Sequence, residues 1–169
     1  MDDDPDVPSR SGSEPAAGPR DADGDRTGPP PERDPDGDPT AVARELYDLP
    51  FHRHRGIEVL EVTAETARTR WPFETSMVGN PEVPALHGGV VSALADLTGA
   101  AVFVGNLGRY TPTIDLRVDY LRHAEPADLT AEAEVVRRGG SVGVADVLVR
   151  TEGERCASAT GVYKLSGGD

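Results

Sequence analysis

The stretch His87-Gly88-Gly89-Val90-Val91-Ser92-Ala93-Leu94-Ala95-Asp96-Leu97-Thr98-Gly99-Ala100-Ala101-Val102-Phe103-Val104-Gly105 decides how this chain is read. Val90, Val91, Leu94, Leu97, Ala101, Val102 and Val104 cover most of a helical circumference, so the spacing predicts a helix buried all round. Asp96 is the only charged side chain between Val83 and Gly108. As a membrane span this run would hold a carboxylate near mid-bilayer, which favours a core helix and argues against a membrane role.

Working outward, a Pro- and Gly-bearing loop from Glu74 to Leu86, with Asn80 in it, precedes the helix. Before that, Ile57 to Val62 and Ala64 to Phe73 read as a hairpin, and Thr40 is placed to cap a short helix through Tyr47. Four strand-like segments follow Gly108: Thr111 to Leu121, Leu129 to Arg137, Val142 to Thr151 and Arg155 to Leu165. Turns containing Glu125-Pro126, Gly139-Gly140 and Gly153 separate them. In the first segment, Ile114, Leu116, Val118 and Tyr120 alternate with Thr113, Asp115, Arg117 and Asp119, which predicts an apolar and a polar face. The order points to an α+β fold, one antiparallel sheet wrapped around one long helix. Such a sheet covers the helix on one side, so the other side is expected to meet a partner.

Residues 1–40 hold nine of the 15 prolines and twelve acids against four arginines. This composition predicts a disordered acidic tail, leaving 41–166 as one folded domain. The net charge of −13 disfavours nucleic acid and anionic membranes as partners. Lys164 is the only lysine among 17 basic residues, and an acidic, arginine-over-lysine surface fits a halophilic protein. With Cys156 the single cysteine, neither an intrachain disulfide nor a thiolate metal cluster is expected. The N-terminus lacks the charged and apolar regions of an export signal, so a cytoplasmic location is expected.

Burying an unpartnered ionised carboxylate costs several kcal/mol, so Asp96 requires a physical reason. One reason is a structural hydrogen bond to Ser92, Thr98 or Thr113. The other is a place in a cleft, as general base or nucleophile. His87-Gly88-Gly89 allows the same two readings. Glycines and free first-turn amides suit an oxyanion at a helix N-terminus, and equally a loop-to-helix transition with His87 as cap. Gly88 and Asp96 stand eight residues apart, about 12 Å along the axis. One carbonyl does not fit within about 3 Å of both in a single chain, so if both act they meet across a subunit interface.

The run from His87 to Asp96 resembles the HGG-x-x-x-x-L-x-D signature of hotdog-fold acyl-CoA thioesterases of the phenylacetate-pathway (PaaI-like) type, including the 4-hydroxybenzoyl-CoA thioesterases, and the strand order over 41–166 agrees. The resemblance implies an oligomer, a homodimer or homotetramer, with active sites between subunits. It implies that Asp96 is nucleophile or general base, that the Gly88 amide polarises the thioester carbonyl, and that the Thr113 hydroxyl helps position water. It points to Asn80 as the substrate- or water-orienting asparagine, although Asn80 lies seven residues before His87 where six is usual. Acyl-CoA is the implied substrate, with aromatic acyl groups in first place and aliphatic ones open, and neither a metal nor a cofactor is called for. An acyl-thioester hydratase or dehydratase and a non-catalytic acyl-CoA-binding protein are the alternatives.

Arg122-His123 and Arg137-Arg138 end successive strands, as donors to CoA phosphates or as solvated edge charges. Gly89 joins them as a backbone contact to substrate. His52 and His54 alternate as strand ligands would, but no cysteine or carboxylate at ligand spacing follows, so a surface segment is expected. Ser92 and Cys156 lack an adjacent base, which excludes them as nucleophiles. Trp71 reads as hairpin packing.

Overall fold

The computed structural model describes residues 37–166. The element order is α1 (Pro39–Leu46), α2 (Pro50–His54), β1 (Glu58–Val62), β2 (Thr66–Trp71), a single 3-10 turn (Thr75–Met77), β3 (Val78–Asn80), β4 (Val83–Leu86), α3 (Gly88–Leu107), β5 (Thr113–Tyr120), β6 (Leu129–Arg138), β7 (Val142–Thr151) and β8 (Glu154–Lys164). Six strands form one antiparallel sheet in the order β1-β2-β6-β7-β8-β5, which leaves β1 and β5 as its edges. The sheet curls around α3, the expected hotdog arrangement.

The sequence sets the limits of α3. His87 caps it by accepting the Gly89 amide on Nδ1 at 2.9 Å, and Gly108, in the left-handed conformation, ends it. Every residue from Leu97 to Gly105 is buried, because the sheet closes one side and α1 crosses the other. Leu94, Val102 and Phe103 are fully enclosed, each stabilising the fold by about 1.5–3 kcal/mol through removal of apolar surface from water. The hydroxyls of Thr69 and Thr98 satisfy one another inside this core at 2.6 Å.

Burial is not uniform along the helix: its second half is enclosed within the chain, while one stripe of its first half is not. In its first half, Gly89, Ser92, Ala93 and Asp96 remain partly open to solvent. These positions are spaced i, i+3, i+4, i+7 and so form one stripe. The open stripe borders the edge strand β5, where Ile114 and Tyr120 are more than half exposed, as is Leu121 just beyond its end.

Four local expectations need correction. Asp38, not Thr40, caps α1 by accepting the Thr40 amide, while the Thr40 hydroxyl ties α1 to β1 through the Val62 backbone. The helix therefore begins inside the stretch assigned to the tail, and the tail itself lies outside the described residues as far as residue 36. The expected loop before α3 contains the 3-10 turn and the β3–β4 ribbon, whose turn at Pro81-Glu82 is closed by the Asn80 side chain accepting the Glu82 amide. His52 and His54 lie at the surface as expected, on the short helix α2 in place of a strand, and His52 Nδ1 is hydrogen-bonded to the Tyr47 carbonyl. Trp71, at the end of β2, is buried in a packing role as expected, its ring meeting Phe51 of α2 edge-on.

The fourth correction concerns the two faces of β5. Thr113 pairs with Tyr163 and Asp115 with Val162, so two steps along β5 match one along β8 and Ile114 forms a β-bulge. The extra residue moves Thr113 off the polar face of Asp115, Arg117 and Asp119 and turns it toward α3, the side occupied by Tyr163.

Candidate active site

Asp96 sits where the open half of α3 gives way to the enclosed half. Its carboxylate accepts the Thr113 hydroxyl at 2.7 Å, and its backbone carbonyl accepts the Tyr163 hydroxyl at 3.2 Å. Tyr163 is fully buried, and a Cβ added to Gly99 of α3 or to Gly161 of β8 would stand 2.1 Å from its hydroxyl. Only glycine at those positions leaves room for this tyrosine. Burial pushes the Tyr163 hydroxyl well above the usual tyrosine value, and the nearby Asp96 charge adds to that, so it remains a neutral donor.

The other end of the site is the start of α3. The Gly88 amide is the first of the helix and has no intrahelical acceptor. The next amide, that of Gly89, is taken by His87 Nδ1, and the Gly88 carbonyl accepts the Tyr120 hydroxyl at 3.0 Å. The Tyr120 ring stands 3.3 Å from where a Gly88 Cβ would be. Beside it opens a cavity of about 360 Å³ lined by Gly88, Val91, Tyr120, Leu121, Arg122 and Cys156, within the size range of ligand pockets. Burial raises the Cys156 thiol, in keeping with a packing role for that residue.

Thus Thr113 joins Asp96, while His87, Gly88 and Gly89 form one capped turn about 12 Å away along the helix. Asn80 is exposed at the tip of its ribbon, its side chain engaged in its own turn. Arg122 lies at the Gly88 end of the sheet, paired with Glu154 at 3.0 Å. Arg137 and Arg138 lie at the opposite end, where the Arg138 guanidinium donates to the Ala64 carbonyl and stacks over Phe103. One chain therefore does not gather the three arginines around one phosphate group. Among the described residues, no group of three or more His, Cys, Asp or Glu is placed to hold a metal ion.

Sequence reasoning passed over Tyr120 and Tyr163, two tyrosines whose hydroxyls reach backbone carbonyls of α3. Gly99 and Gly161 carried the signal for Tyr163, since a helix and a strand each gave up a side chain at one level. No comparable signal marked Tyr120.

A curled antiparallel sheet around a single long helix, opened by a glycine pair and carrying one carboxylate, defines a hotdog-fold protein of the thioesterase type. The chain belongs to the thioesterase superfamily, whose sequence profile matches residues 84–158. It is 35% identical over 136 residues to the medium/long-chain acyl-CoA thioesterase YigI of Escherichia coli, covering 71% of this chain and 88% of that protein. A solved structure described as a protein from the thioesterase superfamily shares 30% identity at a TM-score of 0.72, covering 76% of this chain and 98% of the other. A thioesterase of Haemophilus influenzae, 22% identical at a TM-score of 0.63 over 75% of this chain and 90% of its own, shares the fold.

Proposed function

We propose that this protein hydrolyses acyl-CoA thioesters to a free acid and CoA, in an active site assembled from two copies of the chain. Asp96 activates the attacking water or itself attacks the carbonyl carbon. The Gly88 amide, backed by the positive end of α3, stabilises the oxygen that becomes negative. Where Asp96 activates water, the C–S bond breaks and the proton taken from that water passes to the departing CoA sulfur. Where Asp96 attacks, CoA leaves as its thiolate, protonated from solvent, and a water then hydrolyses the acyl–Asp96 anhydride to the free acid and the carboxylate. Thr113 holds the carboxylate in one orientation. The kinship with YigI favours medium or long aliphatic acyl groups over the aromatic ones first expected, and the cavity beside Gly88 has room for one arm of such a substrate. Acyl-CoA is an intracellular substrate, which agrees with the expected cytoplasmic location.

The observation that carries this reading is the placement of Asp96, partly open on the uncovered stripe of α3 and already held by a hydroxyl. The geometry of β5 supports the two-copy site. Thr113, at its start, contacts Asp96, and Tyr120, at its end, contacts Gly88. A two-fold axis through the middle of β5 would pair this edge with itself antiparallel and set the Gly88 end of one copy against the Asp96 end of the other. The same pairing would cover the exposed Ile114 and Tyr120 and occupy the unpaired strand edge. Thiol release from acyl-CoAs of graded chain length, measured on the parent and on Asp96→Asn, tests the chemistry. Turnover should fall at least about a hundredfold with assembly unchanged. Equal rates would remove Asp96 from the mechanism.

A further inference from the structure

Consecutive glycines at a helix start give the backbone more freedom than any other pair, and the first turn lacks half of the helical hydrogen bonds. A donor useful to a transition state must instead be held in place before the reaction begins. In this protein the peptide unit joining Gly88 to Gly89 is held at both polar ends. Its N–H donates to His87 Nδ1 at 2.9 Å and its C=O accepts the Tyr120 hydroxyl at 3.0 Å. The Tyr120 ring also closes one side of the Gly88 Cα, at 3.3 Å from the position a Cβ would take. The Gly88 amide is one residue upstream of this clamped plane, so fixing the plane limits the directions in which that amide points.

We propose that Tyr120 is a positioning residue, acting through the Gly88–Gly89 peptide to aim the Gly88 amide at the thioester oxygen. This rests on the hydrolytic reading above and adds a residue to it. His87, the cap, provides one half of the clamp from the helix itself, and Tyr120 provides the other from the sheet. The amide's direction thereby depends on the seating of β5 against α3. Within one chain the Tyr120 hydroxyl donates to the Gly88 carbonyl, and that bond is the specific contact that loss of the hydroxyl removes.

Tyr120→Phe keeps the ring against Gly88 and deletes only the hydroxyl. The test is steady-state thiol release with a long-chain acyl-CoA, alongside Asp96→Asn, with sedimentation to read assembly and hydrogen exchange to read the Gly88 and Gly89 amides. Expected for Tyr120→Phe are a kcat lower by about tenfold, a KM within about twofold of the parent, intact assembly and faster exchange at the two glycine amides. Parental kcat in Tyr120→Phe beside an inactive Asp96→Asn would overturn the role of Tyr120 alone. A loss confined to KM would make Tyr120 a substrate contact, and a loss that follows dissociation would reduce its role to holding the subunits together; either result overturns the proposal. Full activity in Asp96→Asn would overturn the hydrolytic reading and this inference together.

Discussion

The Thr113 hydroxyl reaches the Asp96 carboxylate at 2.7 Å because a β-bulge at Ile114 turns Thr113 toward α3. Without the extra residue, Thr113 would point away with Asp115, and Asp96 would lose its side-chain donor.

Thr113→Val, similar in shape but without the hydroxyl, should lower kcat by about tenfold, the scale of a hydrogen bond to a charged group, with little change in KM. Thr113→Ser should restore most of the rate. Steady-state kinetics on the two variants checks this, and a valine variant with parental kcat would remove Thr113 from the site.

The Tyr163 socket predicts a stability effect separate from chemistry. Gly99→Ala would place a methyl 2.1 Å from the tyrosine hydroxyl, and the forced shift should destabilise the fold by about 2–3 kcal/mol in denaturant unfolding. Tyr163→Phe keeps the packing and loses only the bond to the Asp96 carbonyl, so it should cost about 1 kcal/mol. Equal losses in the two variants would contradict the steric account.

Asp128 links β2 to the segment after it, accepting the Phe73 amide at 2.8 Å and pairing with Arg70 at 2.6 Å. The Phe73 N–H and then the Arg70 side chain hold its carboxyl below its ordinary value of 3.8. A lowered native value means that this contribution is present above 3.8 and is lost as pH falls through the native value. Asp128→Asn should therefore cost stability at neutral pH, by under about 1 kcal/mol because the pair is solvent-exposed. The gap to the parent should close under acid. Unfolding curves from neutral pH to pH 3 check it, and a gap independent of pH would rule out the ion pair as its source.

Much of the fold was legible because it rests on periodicity. The all-round apolar run from Val90 to Val104 could only be a core helix, and glycine and proline turns marked the strands after it. Local capping was less legible, since Asp38 and Thr40 are both competent caps and only the position of β1 decides between them. The β3–β4 ribbon was hidden because three- and four-residue strands give too few alternations to count. At the site, Asp96 stood out by its charge alone. Thr113 was one of three hydroxyls considered as a partner for Asp96 and was singled out through family likeness, while its strand pattern placed it on the wrong face, since a single bulge reverses every side chain beyond it. Tyr120 was unreadable because its contact with Gly88 depends on how a strand 32 residues later lies along the helix.

The central claim is that Gly88 of one copy and Asp96 of another serve one substrate, and mixing two inactive variants tests it most directly. Asp96→Asn removes the carboxylate. Gly88→Pro removes the amide at a helix position that accepts proline, following a residue already extended at φ −62° and ψ 133°. Each variant alone should be inactive, and subunits unfolded together and refolded one to one should recover about a quarter of parental activity through hybrids holding one intact site. Mixtures that form hybrids yet stay inactive would contradict the account, because both groups would then have to act within a single chain.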